Sequence, residues 1–234
     1  MNKEIKIRLL VYPIAYLLWG GFMWYSQIIK PYDFTHLILE FPLCNYKFYH
    51  ILQTLPSFII MFFKFIYLYC FTFVIIFGIG YYLFIKKDFL KSDTILVDLA
   101  IGWLLAGIIY SIAVVKSPFQ VDVAKNLINM NLFWIFTKPT YEIPSLHTAY
   151  SFLIALHYKD EDSNIKYLFY ILAILIPIST LIVGMHWIVD VITGYIYGYI
   201  IYKIPKNIHY KIYQTLEFLA GYIKICNNCM RREK

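Results

Sequence analysis

The chain has 234 residues, 61% of them hydrophobic and 15% charged, with a mean hydropathy of +0.63. Soluble domains run at roughly 45–50% apolar and about 25% charged residues, so composition excludes an ordinary soluble domain. The formal net charge of +7 does not point to nucleic acid, because the Lys and Arg residues fall in short flanks between apolar runs and form no single patch.

Several apolar runs reach the roughly 18–20 residues that cross a bilayer as a helix, the open-ended span whose backbone hydrogen bonds all close internally. The expected fold is all-α: a polytopic bundle of six transmembrane helices over 9–25, 65–85, 94–115, 145–158, 165–183 and 186–202. The first run continues into Trp19, Trp24 and Tyr25 without a small-residue cleavage site, so it reads as a span and not as a removable signal. Residues 30–64 read as a long loop whose apolar end suits a helix lying in the interface. The last span carries Gly194 and Gly198 as G-x-x-x-G, a spacing that permits close helix approach, expected here within the bundle.

The bundle is expected over 1–204 as the catalytic domain, followed by a basic amphipathic tail over 205–234. In that tail Ile208, Ile212, Leu216, Leu219 and Ile223 recur at helical spacing between cations, the pattern of a helix on a membrane surface. Cys44, Cys70, Cys226 and Cys229 are too scattered for a disulfide framework. The lone C-x-x-C at Cys226 and Cys229 lacks two further ligands for a structural zinc.

Cations are retained on the cytoplasmic side during insertion. A cytoplasmic N-terminus puts the lysines and arginines of the N-terminus, of 86–91, of 159–166 and of the tail on one side. Both termini are therefore expected inside a cell membrane, with the loop from Lys116 to Glu142 outside.

In that orientation His147 and His186 stand at the outer ends of two descending helices. Asp190 follows His186 at i+4, on the same helix face and one turn deeper. Ionisable groups at such depth are costly and face a cavity or a partner, which marks a functional site. A helix N-terminus offers unpaired N–H groups and partial positive charge to a phosphate, and Ser145 adds a hydroxyl there. An imidazole held at one nitrogen by a carboxylate can attack phosphorus with the other, as His186 with Asp190 would. A second imidazole, His147, can protonate the leaving oxygen. Two histidines and one carboxylate also make a common zinc set. No further carboxylate obviously completes such a cluster, however, so the expectation is chemistry without a metal or other cofactor.

These residues resemble the type-2 phosphatidic acid phosphatase superfamily, whose motifs are K-x6-RP, PSGH and SR-x5-H-x3-D. Here the second reads Pro144-Ser145-Leu146-His147, and the third reads Ser179-Thr180, five residues, His186, three residues, Asp190. The resemblance implies His186 as nucleophile, Asp190 as its orienting partner and His147 as general acid. It also implies Ser179 and Thr180 at the phosphate, with Thr180 in place of the family's arginine. For the first motif, Lys116-Ser117-Pro118 is the preferred remnant; Asn131 followed by Lys138-Pro139 imitates the spacing and keeps Lys138 in reserve. Leu146 makes PSLH similar to the branch of inositol phosphorylceramide and sphingomyelin synthases.

Three readings stay open. The leading one is a lipid phosphatase whose partners are a lipid phosphate or diphosphate and the membrane lipids. The second is a phosphotransferase to a lipid or polyol acceptor. The third is a lipid-binding or transport protein that has lost the chemistry, motivated by Thr180.

Overall fold

The computed structural model describes residues 3–29, 31–128, 138 and 140–232, with side chains described as far as residue 221. Asn131 and Pro139 of the reserve first motif lie outside the described residues, as do the side chains of Cys226 and Cys229.

The chain is all-helical in architecture. A long α1 (Lys3–Ser26) leads into two short helices, α2 (Thr35–Leu39) and α3 (Tyr46–Gln53). Then follow α4 (Ser57–Lys86), with π-helical turns at Ile66–Cys70 and Tyr81–Lys86, and α5 (Phe89–Ile112). The site helices α6 (Leu146–His157), α7 (Ile165–Ile182) and α8 (Ile188–Tyr202) come next, and α9 (Lys206–Arg232) closes the fold. Local chemistry sets the starts. Asn45 caps α3 by accepting from Phe48 N at 3.1 Å, and Asp88 caps α5 by accepting from Lys91 N at 3.0 Å. Pro56, which has no N–H to leave unpaired, precedes α4.

The expected loop over 30–64 is thus largely helical, and its end from Ser57 is the start of a 30-residue helix rather than a separate interfacial segment. Among the described residues, four helices are long and apolar enough to cross a membrane: α1, α4, α5 and α7. Their outward residues, among them Leu10, Leu17, Ile76, Ile112 and Ile174, are exposed large hydrophobics. An apolar surface of that extent needs lipid against it. The two helices of the site, expected as full spans, are shorter. With 12 residues in α6 and 15 in α8 they are about 18 and 22 Å long, against a hydrocarbon core of about 30 Å. His186 lies in the turn two residues ahead of α8 rather than on a shared helix face with Asp190.

Between the helices α6 is the central post, with Ala149, Leu153 and Ile154 fully buried among α4, α7 and α8. Its contact with α8 is as close as backbones allow. A Cβ placed on Gly198 would meet Ala149 O at 2.6 Å, and one on Gly194 would meet Ser145 O at 2.7 Å. The G-x-x-x-G pattern therefore serves packing inside the bundle.

Charges gather at the end away from the histidines. Arg8 of α1 is fully buried against Asp93 of α5 (2.8 and 2.6 Å) and also bonds Glu4 at 2.8 Å. Glu161, in the turn after α6, accepts from Tyr82 at 2.8 Å and from Lys91 at 2.9 Å. These bonds outweigh its burial and hold its carboxyl down at about 2.

The α6–α8 contact yields a test. Gly198→Ala forces a methyl onto the Ala149 carbonyl and should cost about 1–3 kcal/mol, the scale of overpacking a filled core. Gly21→Ala meets nothing within 4 Å and should leave the detergent-solubilised melting temperature unchanged. Equal melting temperatures for the two variants would contradict the close packing.

Candidate active site

The site is built where α6 begins and where the turn between α7 and α8 meets it. Ser145 is the N-cap of α6: its Oγ accepts from Thr148 N at 3.4 Å and from Thr148 Oγ1 at 3.2 Å. Its own N–H donates to Asp190 O at 3.2 Å, tying the first turn of α6 to the first turn of α8.

The turn after α7 is shaped by Gly184, whose φ of +78° suits glycine and whose absent side chain leaves room for Lys125 O, 2.7 Å from an added Cβ. Thr180 O then accepts from both Met185 N (3.0 Å) and His186 N (3.3 Å), folding the chain back so that His186 faces α6. Tyr49 of α3 donates its hydroxyl to His186 O at 2.7 Å and stacks edge-on against Trp187, closing the turn from above.

His186 is 5% exposed. Its Nε2 lies 3.4 Å from His147 Nδ1. His147 is in turn packed between Tyr67 and Phe71, at ring-centroid distances of 5.0 and 4.4 Å. The histidine in the first turn of α6 and the one in the turn ahead of α8 thus meet edge to face, with their rings 67° apart. On its other side His186 Nδ1 meets Asp190 Oδ2 at 3.3 Å. That same oxygen accepts from Trp187 N at 2.7 Å, so Asp190 also caps α8, while its Oδ1 is buried without a hydrogen-bond partner among the described residues.

A residue expected only as the end of the outer loop completes the arrangement. Glu142 Oε2 sits 2.7 Å from His186 Nδ1, closer than Asp190, and the side chain is 5% exposed. Burial pushes the Glu142 carboxyl up, to about 7, against the lowering influence of His186. The expectation that no further carboxylate completes a metal-type cluster is therefore corrected. One ligand atom each from Glu142, His186 and Asp190 lie within 4.8 Å of one another, a set that could hold a divalent cation. Glu142 stands two residues before Pro144 in an irregular stretch, so no helical spacing links it to His186. Its only sequence signal is an acid beside the Pro-Ser turn.

The other expected residues are placed as follows. Lys116 leaves the short strand 113–114, which pairs in parallel with 32–33. Its Nζ bonds Asp33 at 3.0 Å with both side chains half-exposed, and its carbonyl accepts from Trp187 Nε1 at 2.7 Å. The Lys116 backbone is thereby locked to the residue next to His186. Lys138 is exposed and held through its N–H, which donates to Gln27 Oε1 at 2.7 Å. Ser179 and Thr180 are fully buried in the last turns of α7. Their hydroxyls donate to the carbonyls of Ile176 (2.6 Å) and Pro177 (2.7 Å). Thr180 meets His186 through its backbone.

Comparisons with known proteins bear on this geometry. A family model described as the PAP2 superfamily matches residues 117–213, the stretch that supplies Glu142, Ser145, His147, Thr180, His186 and Asp190. An uncharacterized protein of Methanocaldococcus jannaschii is 69% identical over 236 positions, spanning all of this chain and 98% of that relative. No solved structure matches the chain. With its paired histidines brought together from the PSLH turn and the H-x3-D segment, the chain belongs to the PAP2 superfamily, that of the type-2 phosphatidic acid phosphatases.

Proposed function

We propose that the protein is an integral membrane lipid-phosphate phosphatase that works through a phosphohistidine on His186, with its site facing the outside of the cell membrane. The observation that carries the reading is the two-sided environment of His186. Carboxylates stand on its Nδ1 side and the His147 imidazole on its Nε2 side.

A proton on Nδ1 shared with Glu142 and Asp190 leaves the Nε2 lone pair to attack. As the Nε2–P bond forms, the bond from phosphorus to the lipid oxygen breaks, and protonated His147 gives its proton to that oxygen. His147, now neutral, takes a proton from water as the water oxygen attacks phosphorus. The P–N bond breaks and inorganic phosphate leaves. At 3.4 Å the two nitrogens leave no room for a phosphoryl group between them, so substrate binding has to part the rings.

The first N–H groups of α6, with the Ser145 hydroxyl, are the proposed phosphate cradle. Lys116 is the preferred cation, reaching the phosphate by exchanging Asp33 for it, with Lys138 in reserve. Ser179 and Thr180 hold the family's positions, and to reach the phosphate their hydroxyls have to leave the carbonyls of Ile176 and Pro177. Thr180 supplies no charge where the family has arginine, and the second carboxylate at Glu142 strengthens the hold on the nucleophile instead. In this reading six helices are embedded in the membrane, and the short α6 and α8 leave the histidines at the floor of a recess in the outer leaflet. The concentration of Lys and Arg at the opposite end supports that orientation.

Two further readings each have an observation behind them. PSLH favours transfer of the phospho group to a lipid or polyol acceptor, and the Glu142–His186–Asp190 cluster favours a divalent cation. Purified protein is expected to release phosphate from a lipid phosphate with EDTA present and to be inhibited by vanadate. Loss of activity on chelation with recovery on zinc would establish the cation reading, and turnover only with an acceptor would establish the transferase.

A second prediction isolates Glu142. As a carboxylate Glu142 accepts the His186 Nδ1 proton and stabilises the cation that phosphorylation creates, whereas the neutral acid accepts weakly and offers no charge, so activity should rise with pH through about 7. Glu142→Gln should lower kcat by roughly 10–100-fold and remove that rising limb, the scale of losing a positioning partner. An unchanged pH profile in this variant would eliminate the role.

A further inference from the structure

At the end of the bundle away from the histidines, a cleft of about 910 Å³ opens between the start of α5, the end of α6 and the joint between α8 and α9. Four lysines line it: Lys91, Lys159, Lys203 and Lys206. Against them stand two carboxylates, Asp98 and Asp160. Asp98 is fully engaged, because His157 Nε2 meets its Oδ2 at 2.9 Å and His209 Nε2 meets its Oδ1 at 2.6 Å. Lys91 is taken by Glu161 at 2.9 Å. The lining as a whole sets four lysines against two aspartates, an excess of positive charge. Lys159 and Lys203 have their Nζ atoms over the rings of Tyr202 and Tyr199, at 5.4 and 5.2 Å. The 27-residue α9 also begins in this cleft, with Lys206 and Asn207 lining it behind Pro205, and adds the partial positive charge of a helix start.

Size and position narrow the ligand. The volume lies in the range of small-molecule sites, about 300–1,000 Å³, far more than a bare phosphate fills. α9 packs its buried His209, Leu216 and Ala220 inward, while Ile208, Ile212, Phe218 and Leu219 are exposed. A helix with apolar residues on its outer surface lies at the boundary between headgroups and acyl chains, so the cleft at its start is at headgroup depth. Basic pockets between membrane helices hold phosphate headgroups.

We propose that this cleft binds the phosphate of an anionic lipid headgroup, as a site separate from the histidine centre. Nothing in it depends on the phosphatase reading. The test is acetylation of lysines in the full chain, read by mass spectrometry and referenced to exposed Lys47. The protein is reconstituted in phosphatidylcholine nanodiscs with or without phosphatidylglycerol, a phosphodiester that is not a phosphomonoester substrate. A third arm adds inorganic phosphate to the phosphatidylcholine discs, with chloride at matched ionic strength as the control.

Labelling of Lys159, Lys203 and Lys206 should fall about threefold or more in the phosphatidylglycerol discs, a modest effect for pocketed charges. The protection of Lys159 should disappear in the Lys203→Glu, Lys206→Glu variant. Protection by inorganic phosphate but not by phosphatidylglycerol would overturn the lipid assignment in favour of a soluble phosphate. Labelling that is the same in all arms, that falls equally at Lys47, or that stays protected in the variant would overturn the site.

Discussion

The approach of α6 to α8 is the constraint on which the rest depends. Because Gly194 and Gly198 carry no side chain, the second helix lies against the backbone of the first, and Ser145 N can reach Asp190 O. That bond aligns the two helix starts, and the alignment brings His186 Nε2 within 3.4 Å of His147 Nδ1. A single methyl at the crossing would push the helices apart and separate the rings with them. The geometry of the paired histidines is thus set by glycine, at positions outside the pair itself.

The two helices whose starts meet at the site are also shorter than α4, α5 and α7. Longer helices would carry their polar starts to the surface, where water would screen them. Short ones keep the same N–H groups and imidazoles inside the protein, under α3 and the Tyr49–His186 bond. In such surroundings a carboxylate stabilises an imidazolium far more than it would in water. Two carboxylates on one Nδ1 increase that effect. They do so beside a neutral Thr180, where the family has arginine, with no cation in the last turn of α7 to replace it.

Much of this was legible in the residues. The spacing of His147, His186 and Asp190, read with helix periodicity and charge placement, located the three groups that converge in the fold. Glu142 was not legible, because it reaches His186 through an irregular stretch in which no period relates one residue to another. The start of α4 was missed although Pro56-Ser57 ahead of an apolar run is a helix start. The expectation of a long outer loop masked it. Ser179 and Thr180 were located by motif alone, and no sequence rule foretold that their hydroxyls would turn back to carbonyls in their own helix.

The central claim is that His186 Nε2 is the atom that takes the phosphoryl group. A structure of the protein with orthovanadate tests it most directly. The account predicts vanadium bonded to His186 Nε2, the imidazole of His147 moved apart to meet an oxygen on the far side, and Glu142 still on Nδ1. Vanadate bound away from Nε2, or a metal ion bridging Glu142, His186 Nδ1 and Asp190, would contradict it.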